Sequence, residues 1–204
     1  AGYVVDVGGL RIAFDPWIEG TVFNNGWSLL APTVFRYEDF ASLTHLWFTH
    51  EHPDHFNPPN LLRIPKEVRA NLTVLFQKTE DHRLLDFCEK QGFRTQEIEP
   101  DRWYSIGPGV EILNNPWKAD WGEIDSWCCL RTPEFTLLNI NDCEVHDEQR
   151  AREIAAKVGN VDLLTTQFSY AAWQGNPGAA SIRNNAEAHV RSMRMQVDVF
   201  QPKW

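Results

Sequence analysis

The chain has 204 residues, 43% hydrophobic and 23% charged, with a formal net charge of −9. That length supplies the core of one ordinary domain. No apolar run approaches the roughly 20 residues of a membrane span, and the acidic balance disfavours nucleic acid or an anionic bilayer as a general partner. Cys88, Cys128, Cys129 and Cys143 form no Cys-x-x-Cys pair, which argues against a disulfide framework and points to a reducing cytoplasm.

Tyr3 to Val7 and Leu10 to Phe14 read as strands of a β-hairpin around Gly8-Gly9, a preferred two-residue linker. Asp15-Pro16-Trp17 ends the second strand, with a simple turn as one reading of Asp15. Residues 19–40 show little periodicity and read as loop, in which Phe23, Asn24, Asn25 and Trp27 either wall a cleft or pack. Leu46-Trp47-Phe48 reads as the end of a buried strand, and Pro53 with Pro58-Pro59 prevents a helix from starting before Asn60.

Between them lies Thr49-His50-Glu51-His52-Pro53-Asp54-His55, which sets three imidazoles and a carboxylate on a loop at a strand's C-terminal edge. On extended backbone His50 and His52 point the same way, so two nitrogens can reach one cation. Asp54 and His55 follow the turn and can serve a second. Imidazole with carboxylate suits zinc, iron or manganese, and the lack of paired cysteines argues against a structural zinc knuckle. A merely solvated His-rich loop is the alternative, but so many ligand-type side chains rarely converge by chance.

Asn60 to Ile64 reads as a short helix and Leu72 to Phe76 as a buried strand. A helix over Asp81 to Gln91 stops at Gly92 and carries His82 on its surface. Short strands follow over Phe93 to Ile98, Trp103 to Ile106 and Val110 to Leu113. Asn114 to Trp127 carries Asp120, Glu123 and Asp125 among tryptophans, either an acidic surface loop or a source of a carboxylate ligand. Phe135 to Ile140 is a strong strand with Asn141-Asp142-Cys143 at its end, where Asn141-Asp142 has the composition of a turn. Cys143 reads as packed, and His146 as a helix-start residue or a substrate contact. Glu148 to Val158 is an amphipathic helix closed by Gly159-Asn160, and Val161 to Thr166 is another buried strand. In the polar and aromatic loop Gln167 to Trp173, Gln167, Ser169 and Tyr170 can contact substrate while Phe168 and Trp173 pack. Ala186 to Val197 forms the last helix with His189 exposed, and Val199-Phe200 opens a strand.

The His-x-His-x-Asp-His spacing after a strand resembles the metallo-β-lactamase superfamily, along the whole chain. Ile140 to Cys143, with Gln167 to Trp173, resembles its CMP-N-acetylneuraminate hydroxylase-like branch and, less closely, the di-iron β-hydroxylase of chloramphenicol biosynthesis. The resemblance implies the α/β class: an αβ/βα four-layer sandwich of two mixed sheets with outer helices. Residues 1–204 would be one such domain, its C-terminal end and a final His ligand lying beyond Trp204. It further implies that Asp15 orients the metal loop from behind. His50, His52 and a third ligand would hold one cation, Asp54, His55 and the final His the second, and Asp142 would bridge them. Most hydrolases of the superfamily carry a His as third ligand in the Asn114 to Trp127 region. None stands there in this chain, so Glu123, or else Asp125, is expected to replace it.

The default chemistry implied is hydrolysis of a small molecule by a dinuclear centre, zinc or iron with manganese admitted. It would use a metal-bound hydroxide, formed from a bound water that Asp54 orients or deprotonates. A carboxylate in place of an imidazole makes a harder site, shifts preference towards iron or manganese, and favours an O₂-dependent di-iron oxygenase as the alternative. No Cys-x-His pair for a Rieske cluster occurs, so electrons for that chemistry would come from elsewhere. A binding protein with an incomplete site is the third class.

Overall fold

Gly8 and Gly9 turn the chain back on itself, both at positive φ (54° and 79°). Strands β1 (Tyr3–Val7) and β2 (Leu10–Phe14) therefore pair antiparallel, from Tyr3↔Phe14 to Val7↔Leu10. The computed structural model describes residues 2–118, 124–168 and 178–204, in two units, Ala1–Asn114 and Asn115–Trp204.

In the first unit a small hairpin of β3 (Thr21–Val22) and β4 (Trp27–Ser28) precedes a 3₁₀ helix, Tyr37–Ser42. Then come β5 (His45–Trp47), α1 (Pro58–Arg63), α2 (Lys66–Arg69) and β6 (Thr73–Gln77). The unit continues with α3 (Arg83–Lys90), β7 (Arg94–Ile98), β8 (Trp103–Gly107) and the first residues of β9 (Val110–Lys118), a strand that runs on past Asn114. The sheet order is β1-β2-β5-β6-β7, and β2, β5, β6 and β7 are mutually parallel. Parallel strands are covered on both faces and read as continuous apolar runs, as Leu46-Trp47-Phe48 and Val74-Leu75-Phe76 do, all at most 1% exposed. Leu61, Ile64, Leu84 and Cys88 bring the helices into that core. A Cβ at Gly8 would collide with Val110 of β9, so glycine there serves close approach as well as the turn.

The second unit contains β10 (Ile124–Arg131), β11 (Thr136–Asn141), α4 (Glu148–Val158), β12 (Leu163–Thr166) and α5 (Ala179–Phe200). β10 pairs antiparallel with β11, and β11 pairs parallel with β12, so this sheet too is mixed. Asp147 caps α4 by accepting from the Arg150 N–H at 2.8 Å, and Gly159 at φ 75° ends it.

Several expectations are corrected. The prolines do not delay the helix: α1 starts at Pro58, because the first helical positions need no N–H partner and Asn57 caps them. The 19–40 segment holds a hairpin and a 3₁₀ helix rather than loop alone. β9 runs on to Lys118, and Asp125 lies within β10, 4% exposed, instead of on a surface loop. β12 is half-buried throughout. Val199 and Phe200 end α5 rather than opening a strand, since Phe200 is buried and Gln201 closes the helix in the left-handed region. The strand-like pairing comes later, where the Trp204 N–H donates to Asp162 and its carbonyl accepts from Leu164. His82 precedes α3 as its N-cap at φ 50°, with Nδ1 2.8 Å from Glu97. His189 is half-buried, not exposed. Among the described residues, no helix is long and apolar enough to cross a membrane.

Candidate metal centre

The loop from Phe48 to Asn57 leaves the C-terminal edge of β5 between two parallel neighbours, the position where ends of strands open a crevice. Its floor is Asp15, the first residue after β2, 4% exposed and at φ 43°, a conformation Asp tolerates. That kink turns the carboxylate onto the loop: Oδ1 accepts the Thr49 N–H at 2.8 Å and Oδ2 the Thr49 hydroxyl at 3.0 Å. His55 Nδ1 stands 3.1 Å from the same Oδ2. On the far side Gln77, at the end of β6, donates to the Thr49 carbonyl at 3.4 Å.

The imidazoles converge on this base. His50 Nδ1 lies 2.8 Å and His55 Nδ1 3.2 Å from Thr49 Oγ1. His50 Nε2 faces His52 Nδ1 at 2.7 Å, and the His50 and His55 ring centroids are 4.2 Å apart. Asp54 Oδ2 is 3.4 Å from His55 Nε2. The loop thus gathers His50, His52, Asp54 and His55 with Asp15 behind them, although His50 and His52 sit on irregular backbone rather than a strand. Glu51 turns away and pairs with Arg83. Nitrogens with their other ring atom already held, beside a carboxylate, fit the donor chemistry of a borderline divalent cation.

The loop is tied down beyond its ligands. Backbone N–H groups of His55 and Phe56 donate to the His52 carbonyl at 3.0 and 2.7 Å, and the Phe56 ring packs edge-on against Phe48 and Phe87. Buried Asn60 accepts from the Ile18 and Glu19 N–H groups at 2.7 and 3.1 Å, fastening the 18–19 segment to α1. From that segment springs the turn Phe23-Asn24-Asn25, all three at positive φ. It sets Phe23 edge-on to His52 at 5.7 Å and to Trp27 at 5.2 Å. Asn60→Ala is expected to lower stability by about 1–3 kcal/mol, the penalty for buried donors left without an acceptor. A urea denaturation midpoint unchanged from wild type would contradict the fastening.

In the second unit Asp142 follows β11 in a tight turn closed by the Cys143 N–H on the Ile140 carbonyl, 3.1 Å. Cys143 is packed as expected: burial pushes its thiol well up, and the Asp125 and Asp142 carboxylates add to the shift. Gln196 on α5 donates to the Val145 carbonyl at 2.9 Å and pairs with Thr166 Oγ1 at 2.5 Å, fixing the segment after Asp142 to the end of β12. Half-buried Gln167 follows directly. His146 Nδ1 pairs with Ser192 Oγ at 2.8 Å. Burial, then the neighbouring His146, hold the His189 pKa below its ordinary value. Glu123, Ser169 and Tyr170 lie outside the described residues.

A UPF0173 metal-dependent hydrolase of Pyrobaculum aerophilum is 26% identical over 204 residues, 98% of this chain and 82% of the relative. The cytidine monophosphate-N-acetylneuraminic acid hydroxylase of Xenopus laevis is 29% identical over 109 residues, 53% of this chain and only 15% of that protein. Among solved structures, YhfI of Bacillus subtilis, a metallo-β-lactamase fold protein, superposes with a TM-score of 0.58 at 14% identity, covering 99% of this chain and 86% of its own. This chain has the metallo-β-lactamase fold. CmlA of Streptomyces venezuelae, a diiron β-hydroxylase, superposes on it with a TM-score of 0.66 at 19% identity, over 98% of this chain and 41% of CmlA. No family model matches the chain. Within the fold, the loop after β5 and the turn after β11 occupy strand ends. Thr49 and Asn60 escaped the sequence reading because their roles rest on contacts with Asp15 and Ile18, 34 and 42 residues away.

Proposed function

We propose that the chain is a metal-dependent hydrolase of a small-molecule substrate, working in a reducing compartment such as the cytoplasm. His50 and His52, with Glu123 or Asp125, would hold one cation, and Asp54 and His55 the second, with Asp142 shared between them. The observation that carries this is the convergence of three imidazoles and a carboxylate on one loop, buttressed by buried Asp15. Bound cations would supply Lewis acidity and bring the pKa of a water down to about 7.

The chain's own residues do the rest. Asp15 and Thr49 hold the rings, Phe23 covers one edge of His52 against solvent, and Asp54 Oδ2 is placed to take up a proton at the site. Gln167, Ser169 and Tyr170 are the proposed substrate contacts. Hydrolysis is favoured by the UPF0173 relative, whose similarity extends along most of both chains. The four cysteines are buried thiols outside any disulfide, which suits a reducing environment.

The likeness to CmlA over 98% of this chain favours a second reading, a di-iron oxygenase. Similarity to the hydroxylases spans well under half of those larger proteins, so their activities carry over only as a proposal. Anaerobic metal quantification on the purified protein separates the two. Two equivalents of zinc are expected for the hydrolase, and two of iron with visible absorbance would replace it with the oxygenase. Absence of bound metal after supplementation with zinc, iron and manganese would overturn both.

A further inference from the structure

We propose that Thr49 is a positioning residue whose hydroxyl sets the tautomer of His50 and helps set that of His55, so that each ring offers the cation an unprotonated Nε2. A hydroxyl has one proton to donate and two lone pairs to accept with. Thr49 Oγ1 has three partners within reach: Asp15 Oδ2 at 3.0 Å, His50 Nδ1 at 2.8 Å and His55 Nδ1 at 3.2 Å. An ionised carboxylate only accepts. If the hydroxyl proton pointed anywhere but at Asp15, two oxygens would face each other at 3.0 Å with nothing between them. The proton therefore goes to Asp15, and Thr49 accepts from both rings.

His50 must then carry its proton on Nδ1. The same holds for His55, whose Nδ1 also lies 3.1 Å from Asp15 Oδ2. Both Nε2 atoms keep their lone pairs, that of His50 facing His52 Nδ1 at 2.7 Å. His55 Nε2 and Asp54 Oδ2 stand 3.4 Å apart, beyond the usual 2.7–3.2 Å of an N–H···O bond, so that contact does not call for a proton on Nε2. One side chain thereby prepares a donor for each proposed cation, His50 for the first and His55 for the second. The two rings meet it differently: the His55 Nδ1–H also has Asp15 Oδ2 within reach at 3.1 Å, whereas the His50 Nδ1–H donates to Thr49 Oγ1 at 2.8 Å.

The inference rests on the metal reading for its consequence and not for its premise, so the test has two arms. The first reads imidazole ¹⁵N shifts in the chelator-treated protein, above the ordinary histidine pKa of about 6.5. Wild type and Thr49→Ser should show Nδ1–H tautomers at His50 and His55. Thr49→Val should release His50 into a mixture while His55, held by Asp15, keeps its Nδ1–H. The second arm measures zinc affinity: Thr49→Val should lose about 10–100-fold, the usual effect of removing an outer partner of a metal-ligating histidine, and Thr49→Ser should retain it. An Nε2–H tautomer or a doubly protonated ring at His50 in wild type overturns the proposal, even if Thr49→Val does not fold. So does a Thr49→Val protein that folds and keeps the His50 tautomer. Failure of every variant, wild type included, to bind zinc would sink the metal reading alone and leave the tautomer result to decide Thr49.

Discussion

Replacing His52 with alanine is expected to abolish cation binding at the first position while leaving the fold near intact. The ring is only half-buried and meets His50 and Phe23, so its loss opens no core cavity and falls in the class of small stability changes. Its Nδ1 stands, however, only 2.7 Å from His50 Nε2. A borderline cation deprived of one of two adjacent imidazoles keeps too few protein ligands for tight binding. Metal content by elemental analysis, with circular dichroism as the control for folding, checks this. Unchanged content in a folded His52→Ala protein would remove His52 from the site.

Asp15→Ala should do the reverse and damage stability first. The carboxylate is 4% exposed and receives the Thr49 N–H, the Thr49 hydroxyl and the His55 ring. Truncation strands these donors where water does not replace the acceptor, and removing one partner of a buried charged network costs about 3–5 kcal/mol. Chemical denaturation reads this directly, as a fall in the midpoint with little change in slope. Loss of less than about 1 kcal/mol, the worth of one ordinary hydrogen bond, would show that Asp15 does not hold the loop. Asp15→Asn, which retains an acceptor oxygen, is expected to fall between the two.

Which parts were legible in the sequence follows from the range of the interactions involved. Gly8-Gly9 and the apolar runs around it define the first hairpin through local geometry alone, and β6, α3, β11 and α4 follow from periodicity within their own few residues. The ligand loop was legible because His50, His52, Asp54 and His55 are neighbours in the chain. Harder to read was β10, whose polar Asp125 and Ser126 are both buried, and β9, where Pro116 interrupts a strand pattern. At α5, the β-branched and aromatic pair Val199-Phe200 carries strand propensity that packing of Phe200 overrides. Thr49 looks like any hydroxyl residue before a histidine. Only the return of Asp15, across two strands of the sheet, gives it three partners.

The bond between Asp15 and Thr49 spans 34 positions of sequence, which ties ion capture to the order in which the molecule assembles. Until β2 has docked beside β5, the histidine segment lacks the anionic anchor that aims its rings, and it is merely a floppy peptide with weak, undirected affinity. A nascent or partly unfolded chain consequently has little means of trapping a stray cation in the wrong arrangement. High-affinity loading becomes a late event, available to chains whose amino-terminal hairpin is already in place.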